Sequence, residues 1–321
     1  MSRNICVVGA GYWGKNHIRT LNNLGFLGGI VEPNKYLLNK FSKEYPEAKV
    51  FENLDLAIKD KSFRGFTIAT PANTHFRIAS KIIRSSKNVL VEKPLCLNIN
   101  EAKKLVELSK QYKINLMVGH VLLFHPAIQE IKKTILDGKI GKLQYLYSNR
   151  LNLGQVRTEE NVFWSLAPHD ISIFQFLTDS YPESIIANGS TFLQKNIHDS
   201  TITYLKYPNK VEGHIFVSWL HPFKEHRLVV IGSEGMLVFE DSAEKKPIKL
   251  YSKKIDIKFG IPEKIDGPVK LINYERKMPL TEELKYSCEN LDRENTKTAD
   301  GKSALEVVKI LIKASKQLEK K

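Results

Sequence analysis

Apolar and polar residues follow two alternating patterns along the first 120 residues. Short runs rich in Val, Ile and Leu predict buried strands at Asn4–Val8, Leu27–Glu32, Gly65–Ala69, Asn88–Glu92 and Asn115–Gly119. Between these runs, apolar residues recur at helical spacing and predict helices near residues 14–24, 35–44, 74–85 and 101–112. Strands that alternate with helices predict a doubly wound parallel sheet in a domain covering residues 1–120.

The pattern changes after residue 120. Two helices are predicted at Pro126–Leu136 and His169–Leu177. Long β-rich runs predict strands at Leu143–Leu151, Ser184–Leu193, Thr201–Tyr207, Val211–Leu220 and Leu228–Glu240. Short turns between them favour a mainly antiparallel open sheet, so residues 121–321 are predicted to form an α+β domain. Its last helix, Gly301–Lys321, could pack back on the first domain, whereas the lysine-rich residues 242–276 receive no assignment.

The composition is that of an ordinary globular protein, with 42% hydrophobic and 26% charged residues. No apolar run approaches the roughly 20 residues that span a bilayer, and the first residues lack a signal-peptide pattern, so we expect a cytoplasmic protein and no membrane partner. The three cysteines are scattered without a C-x-x-C pair, which argues against disulfides and a zinc ribbon.

The net charge is +14, and the excess is concentrated in residues 1–120, where 19 Lys and Arg face 9 Asp and Glu. A basic surface favours anionic partners such as nucleotides, although solvated lysines alone would give the same balance. The sequence has no zinc-finger spacing, basic heptad region or aromatic-basic RNA motif, so we expect no nucleic-acid partner.

A glycine-rich turn follows the first strand. Gly9, Gly11 and Gly14 form G-x-G-x-x-G between a strand and a helix, where they permit a tight turn, approach of a pyrophosphate and close helix packing. Glu32 ends the second strand, where its carboxylate can accept hydrogen bonds from ribose hydroxyls and repel a 2′-phosphate. The sequence therefore predicts NAD rather than NADP, with Tyr12 and Trp13 either over the cofactor or in packing roles.

Two later strands end in polar turns. In an open parallel sheet such turns meet at the ligand edge. After the third strand come Thr70, Pro71, Asn73 and His75, of which Asn73 and His75 could bond cofactor or substrate; alternatively, Asn73 and Thr74 could cap the next helix.

The next strand ends in Glu92-Lys93-Pro94. A lysine near a nicotinamide cation should have a lowered pKa and can act as a general base. Glu92 could orient this lysine or bond the ribose, and Pro94 opens the possibility of a cis bond.

In this order, Gly-x-Gly-x-x-Gly, Thr-Pro-x-x-x-His and Glu-Lys-Pro resemble the glucose-fructose oxidoreductase/inositol dehydrogenase/MocA family over nearly the whole chain. The resemblance implies that Lys93 is the catalytic lysine and His169 the catalytic histidine. It also implies that residues 121–321 serve substrate binding and oligomerisation, with a homo-oligomer, dimer or tetramer, formed through the open sheet. Ser165 stands where the family often has aspartate, so His169 would act with Lys93 alone or be oriented by Asp170.

The stretches SNRLNLG and APHDIS are similar to the branch that oxidises nucleotide-linked amino sugars at C3. This implies UDP-N-acetylglucosamine or its C6 acid as substrate, a 3-keto product that feeds 3-amino sugars of surface polysaccharide or lipid A, and possible recycling of the cofactor by 2-oxoglutarate. Candidate substrate-binding residues are Lys93, Arg150, Asn152, Arg157, Asn161, His169 and Asp170. Arginine forks suit phosphate or carboxylate. No metal site is predicted, because His120 and His125 lack a convergent carboxylate.

Two other functions remain open. A polyol or free-sugar dehydrogenase would use the same cofactor, but Arg150 and Arg157 would then have no phosphate to bind. A non-catalytic sensor would bind NAD without reducing it, which would leave the pairing of Lys93 with His169 unexplained.

Overall fold

The computed structural model describes residues 3–294 and 296–319. The chain divides into two compact units. The first comprises Met1–Phe124 and Lys277–Lys309, and the second comprises His125–Arg276 and Ile310–Lys321. The domain boundary at residue 120 stays a prediction. Within the described ranges, every helix is too short or too polar to cross a membrane.

Helices and strands alternate along the first part of the chain, and strands predominate later. The helices are α1 Gly14–Asn23, α2 Lys35–Glu44, α3 Leu54–Lys59, α4 His75–Arg84, α5 Ile99–Gln111, α6 Pro126–Leu136, α7 Val162–Thr178, α8 Pro279–Glu289 and α9 Gly301–Leu318. The strands are β1 Ile5–Val8, β2 Leu27–Val31, β3 Lys49–Phe51, β4 Gly65–Ile68, β5 Asn88–Glu92, β6 Leu116–Gly119, β7 Leu143–Leu151, β8 Ser184–Ser190, β9 Ser200–Lys206, β10 Glu212–Ser218, β11 Glu225–Gly232, β12 Met236–Glu240, β13 Ile248–Tyr251, β14 Lys254–Lys258, β15 Ile261–Ile265 and β16 Val269–Ile272.

The sheet of the first unit is parallel, in the order β3-β2-β1-β4-β5-β6. Strands β1, β2, β4 and β6 are buried along their whole length, which explains their continuous apolar runs. The strand order reverses between β1 and β4, and such a switch point opens a crevice for ligands at the carboxyl ends. Strand β3 and helix α3 were not predicted. Strand β3 has only three residues, none of them buried, so it shows no apolar run.

The sheet of the second unit has the order β16-β13-β12-β11-β7-β10-β9-β8. All of its neighbouring strands are antiparallel except β7 and β10. The α/β fold class is therefore confirmed, with the predicted doubly wound parallel sheet followed by the predicted mainly antiparallel sheet. The prediction of one strand at Leu228–Glu240 is wrong, because Gly232 and Gly235 close a turn between β11 and β12. The unassigned residues 242–276 contain β13 to β16, of which β14 and β15 form a separate hairpin.

Helix α7 is longer than the predicted His169–Leu177, since it begins at Val162 and contains Pro168. The Asn161 side chain caps it by accepting a hydrogen bond of 3.1 Å from the Trp164 N–H. Phe163, Ala167 and Ile171 lie at helical spacing and are fully buried. Burial of this apolar stripe offsets the backbone hydrogen bond that the proline cannot donate.

Asp199 anchors a turn of the second unit. It is fully buried, and its carboxylate accepts hydrogen bonds from the backbone N–H groups of Phe192 and Leu193, at 2.6 and 2.9 Å. Trp219, the largest fully buried side chain, donates from Nε1 at 2.6 Å. A buried charge requires such donors, so this carboxylate fixes both the turn and the indole.

We expect Asp199→Ala to lower the free energy of unfolding by about 3 kcal/mol, since the buried indole N–H of Trp219 and two partly buried backbone N–H groups would lose their acceptor. Urea unfolding followed by tryptophan fluorescence would measure the loss. Asp266→Ala is the control, because Asp266 is exposed and pairs with Lys253 and Lys264 near the surface, and it should change stability by less than about 1 kcal/mol. Equal losses in the two variants would contradict the anchoring role.

Candidate active site

The glycine-rich turn joins β1 to α1. Gly9 has φ +94°, a conformation that side chains disfavour, and a Cβ there would lie 2.9 Å from the Ala69 carbonyl oxygen. A Cβ on Gly14 would lie 1.9 Å from the Gly9 carbonyl oxygen. By contrast, a Cβ on Gly11 would have no neighbour within 4 Å. The structure thus needs Gly9 and Gly14 for its own packing, while Gly11 leaves open space in front of the backbone.

Glu32 fastens this turn to the end of β2. Its Oε2 accepts a hydrogen bond of 2.8 Å from the Ala10 N–H, and its Oε1 accepts one of 2.9 Å from the Asn34 N–H. The side chain is buried at 8% exposure. Each carboxylate oxygen can still accept a further hydrogen bond. The carboxylate is therefore held in a fixed orientation at the sheet edge, where ribose hydroxyls were predicted.

A cavity of about 1030 Å³ runs along this edge of the first unit. Among the predicted cofactor residues, Gly9, Gly11, Glu32, Thr70 and Pro71 line it. Its wall also includes residues that sequence reasoning missed, among them Asn53, Arg77 and Lys81. Asn53 follows β3. Had that strand been predicted, Asn53 would have been expected at the carboxyl edge of the sheet with the other cofactor residues. The open space at Gly11, the aligned Glu32 carboxylate and this volume fit a dinucleotide.

His75 ties the two polar turns together. Its Nδ1 lies 2.8 Å from the Pro94 carbonyl oxygen, and its Nε2 lies 2.9 Å from the Thr70 carbonyl oxygen. The ring is buried at 1% exposure. The structure therefore favours a positioning role for His75 over the predicted direct contact with a ligand. Asn73 is exposed, and no side-chain cap is formed at the start of α4, so the alternative capping role is not supported.

Glu92 is the centre of a second set of contacts. Its Oε1 accepts hydrogen bonds from Trp13 Nε1 at 2.6 Å and lies 2.8 Å from His17 Nε2. Burial raises the pKa of the Glu92 carboxyl, but the hydrogen bonds from His17 and Trp13 outweigh burial and hold the pKa below its ordinary value. Gly119 on β6 makes room, since a Cβ there would lie 2.9 Å from the carboxylate. Trp13 therefore packs on Glu92, while Tyr12 is 84% exposed.

His17 was not among the residues predicted for this edge from the sequence. It is fully buried in α1, three residues after Gly14. A polar ring on the buried face of a helix that follows a glycine-rich turn is the signal that could have identified it. Lys93, half-buried, directly follows Glu92, and its backbone N–H donates to Glu92 Oε2 at 3.2 Å. The Lys93–Pro94 peptide bond is cis.

The predicted substrate residues lie in the second unit, apart from Lys93. Arg150 and Asp170 form a buried forked ion pair, with Nε to Oδ2 at 2.7 Å and Nη2 to Oδ1 at 3.0 Å. Each of the two charges compensates the other. A direct role of Arg150 or Asp170 toward a ligand stays a prediction, and so does the role of Asp170 as the orienter of His169. The structure places His169 half-buried in α7, one turn after Ser165.

The remaining candidates differ in what they already contact. Asn161 is the cap of α7, so its amide oxygen is engaged. Asn152 follows β7, and its backbone N–H donates to the Ser218 carbonyl oxygen at 3.1 Å. The Arg157 side chain is exposed, while its carbonyl oxygen accepts a hydrogen bond from Gln194. Across residues 3–294 and 296–319, no group of three or more His, Cys, Asp and Glu is placed to hold a metal ion.

Sequence profiles of one family match most of the chain. Residues 3–120 match an oxidoreductase family with an NAD-binding Rossmann fold, and residues 128–238 match the GFO/IDH/MocA C-terminal domain. The chain therefore belongs to the glucose-fructose oxidoreductase/inositol dehydrogenase/MocA family of oxidoreductases. Its first unit carries the NAD-binding fold of that family.

Individual relatives are distant. The UDP-N-acetylglucosamine 3-dehydrogenase of Acidithiobacillus ferrooxidans is 27% identical over 184 residues, which cover 57% of this chain and 56% of the relative. The scyllo-inositol 2-dehydrogenase (NAD(+)) of Bacillus subtilis is 26% identical over 219 residues, which cover 65% of this chain and 64% of the relative. A solved structure of the first enzyme superposes with a TM-score of 0.86 at 20% identity, covering 99% of this chain and 97% of the other. This superposition shows the common fold.

The glycines provide a matched pair of variants. Gly11→Ala should keep the melting temperature of the free protein, because its Cβ meets open space, but should weaken NAD binding about tenfold or more, since a pyrophosphate would approach there. Gly14→Ala should lower both, because its Cβ would collide with Gly9. Calorimetric titration and thermal unfolding would separate the two effects. Unchanged NAD affinity in Gly11→Ala would contradict the placement of the pyrophosphate.

Proposed function

We propose that the protein is an NAD-dependent dehydrogenase that oxidises the C3 hydroxyl of a UDP-linked N-acetylamino sugar, either UDP-N-acetylglucosamine or its C6 acid. The observation that carries the enzymatic part is the position of Lys93. It follows β5 at the carboxyl edge of the first unit's sheet, beside a carboxylate bonded to Trp13 of the glycine-rich turn. A lysine fixed at the cofactor edge favours catalysis over the alternative of a sensor.

Each residue has a defined part in this proposal. The glycine-rich turn and Glu32 would hold NAD, which would supply the hydride acceptor for C3 of the sugar. Lys93 takes the proton of the C3 hydroxyl, so that the alcohol loses a hydride and a proton and becomes a ketone. Glu92 holds the backbone of Lys93 in place. His169 assists Lys93, a role that rests on its match to the family motif, and Ser165 provides no negative charge for it.

The choice of substrate is supported by several weaker observations. One of the similar enzymes acts on UDP-N-acetylglucosamine, and the net charge of +14 suits an anionic ligand. Arg157 is exposed and can offer its guanidinium fork to a diphosphate. Arg150 is neutralised by Asp170, which reduces its support for this substrate. Because an inositol dehydrogenase is about equally similar, a polyol or free-sugar dehydrogenase is the second candidate.

The proposed reaction has consequences for the fate of its product, for the location of the protein and for its assembly. The 3-keto product would be consumed by an aminotransferase to give a 3-amino sugar for surface polysaccharide or lipid A. A cytoplasmic location fits a nucleotide-sugar substrate. A homo-oligomer formed through the open sheet and recycling of the cofactor by 2-oxoglutarate are both proposed from the family resemblance.

Lys93→Ala should abolish turnover while NAD affinity stays within about twofold, because the lysine acts on the substrate proton and the glycines hold the cofactor. Reduction of NAD would be followed by absorbance with each UDP-sugar, with and without 2-oxoglutarate, and with free polyols. Lys103→Ala, which changes an exposed lysine of α5, is the control. Turnover retained by Lys93→Ala would refute the catalytic role, and turnover of polyols alone would favour the second candidate.

A further inference from the structure

Several titratable side chains of the first unit are buried near Lys93. Glu283, on α8, is fully buried, and neither of its carboxyl oxygens has a hydrogen-bond partner within residues 3–294 and 296–319. His120, which follows β6, is 2% exposed, and its ring nitrogens likewise lack partners in the described ranges. We refer to Trp13, His17, Glu92, His120 and Glu283 as the Glu92 cluster.

The two carboxyl groups of the cluster have unequal surroundings. Glu92 receives hydrogen bonds from Trp13 and from the Lys93 N–H, and it contacts His17. Glu283 receives none from the described residues. Two carboxyl groups that share a buried site resist ionising together, and a buried charge is stable only where donors surround it. The negative charge therefore belongs to Glu92.

The groups that face Glu283 support the same assignment. Helix α8 packs against α1, which contributes His17, and against residues 121–124, which follow His120. Burial lowers the pKa of His120 to about 4, so this ring adds no positive charge at neutral pH. Burial and then the negative charge of Glu92 raise the pKa of Glu283 well above its ordinary value of 4.5.

We propose that Glu283 is a positioning residue that remains a neutral carboxylic acid, so that Glu92 is the single buried negative charge of the cluster beside Lys93. Ionisation of Glu283 would add a second negative charge and raise the pKa of the Lys93 amine. Lys93 would then accept a proton from the substrate less readily at a given pH. The effect on Lys93 rests on the proposed function, whereas the neutrality of Glu283 does not.

The first test compares the melting temperatures of the wild type and Glu283→Gln across pH. The folded protein holds the Glu283 proton more tightly than the unfolded chain does, so the wild type loses stability relative to Glu283→Gln as pH rises above about 4.5. The difference should widen by roughly 3 °C per pH unit until Glu283 ionises. Glu289→Gln, an exposed change on the same helix, should show no such trend. A difference that does not vary with pH would overturn the proposal.

Infrared spectroscopy at neutral pH gives an independent readout that a packing role alone would not produce. The wild type should show the carbonyl band of a protonated carboxylic acid, and Glu283→Gln should lack it. Glu289→Gln should retain the band, because its carboxylate is exposed. A band that persists in Glu283→Gln, or that is missing from the wild type, would overturn the neutral assignment.

The consequence for Lys93 is tested by the pH dependence of kcat/KM with the sugar that the wild type reduces. The wild type should lose kcat/KM at alkaline pH where Glu283 ionises, and Glu283→Gln should lack this loss. Identical alkaline limbs would refute the influence on Lys93. Failure of every sugar to reduce NAD would refute the proposed function, while the melting and infrared results would still decide the state of Glu283.

Discussion

The buried carboxylate of Glu92 is the constraint on which the rest of the first unit's edge depends. Its donors, Trp13 and His17, come from the glycine-rich turn and the helix that follows, while Lys93 follows it in the chain. Removing this charge from water is costly unless those donors stay in place. The turn at β1 and the turn at β5 must therefore adopt their conformations together, and the position of Lys93 follows from both.

The polar residues at the strand ends stabilise the protein's own structure and are not reserved for ligand binding. Glu32 binds the backbone of the glycine-rich turn, and His75 binds the carbonyl groups of Thr70 and Pro94. Both side chains are buried. Rigid support of this kind reduces the freedom of the groups that meet cofactor and substrate, and a site gains from support that is formed before the ligand arrives.

The sequence indicated least about short or irregular elements and about side chains whose partners lie far away along the chain. Strand β3 has too few residues to show the alternation of apolar and polar positions. Pro168 lies inside α7, so the two helical turns before it were not predicted. Arg150 looked like a ligand for phosphate because its residue type suits that role, but Asp170, twenty residues further on, pairs with it inside the second unit. No sequence pattern indicated a role for Glu283, because its burial results from helix packing and the nearby charge of Glu92 is contributed by β5.

The sequence by itself determined the parallel sheet, the glycine-rich turn and the edge at which Glu32, Thr70 and Lys93 occur. Apolar periodicity and strand ends are local properties of the chain, and the carboxyl ends of parallel strands necessarily share one edge. Only the tertiary structure decided which polar groups are paired and which carboxyl group of the Glu92 cluster holds a proton. Those outcomes depend on burial and on donors brought from distant parts of the chain, and no spacing within the sequence records them.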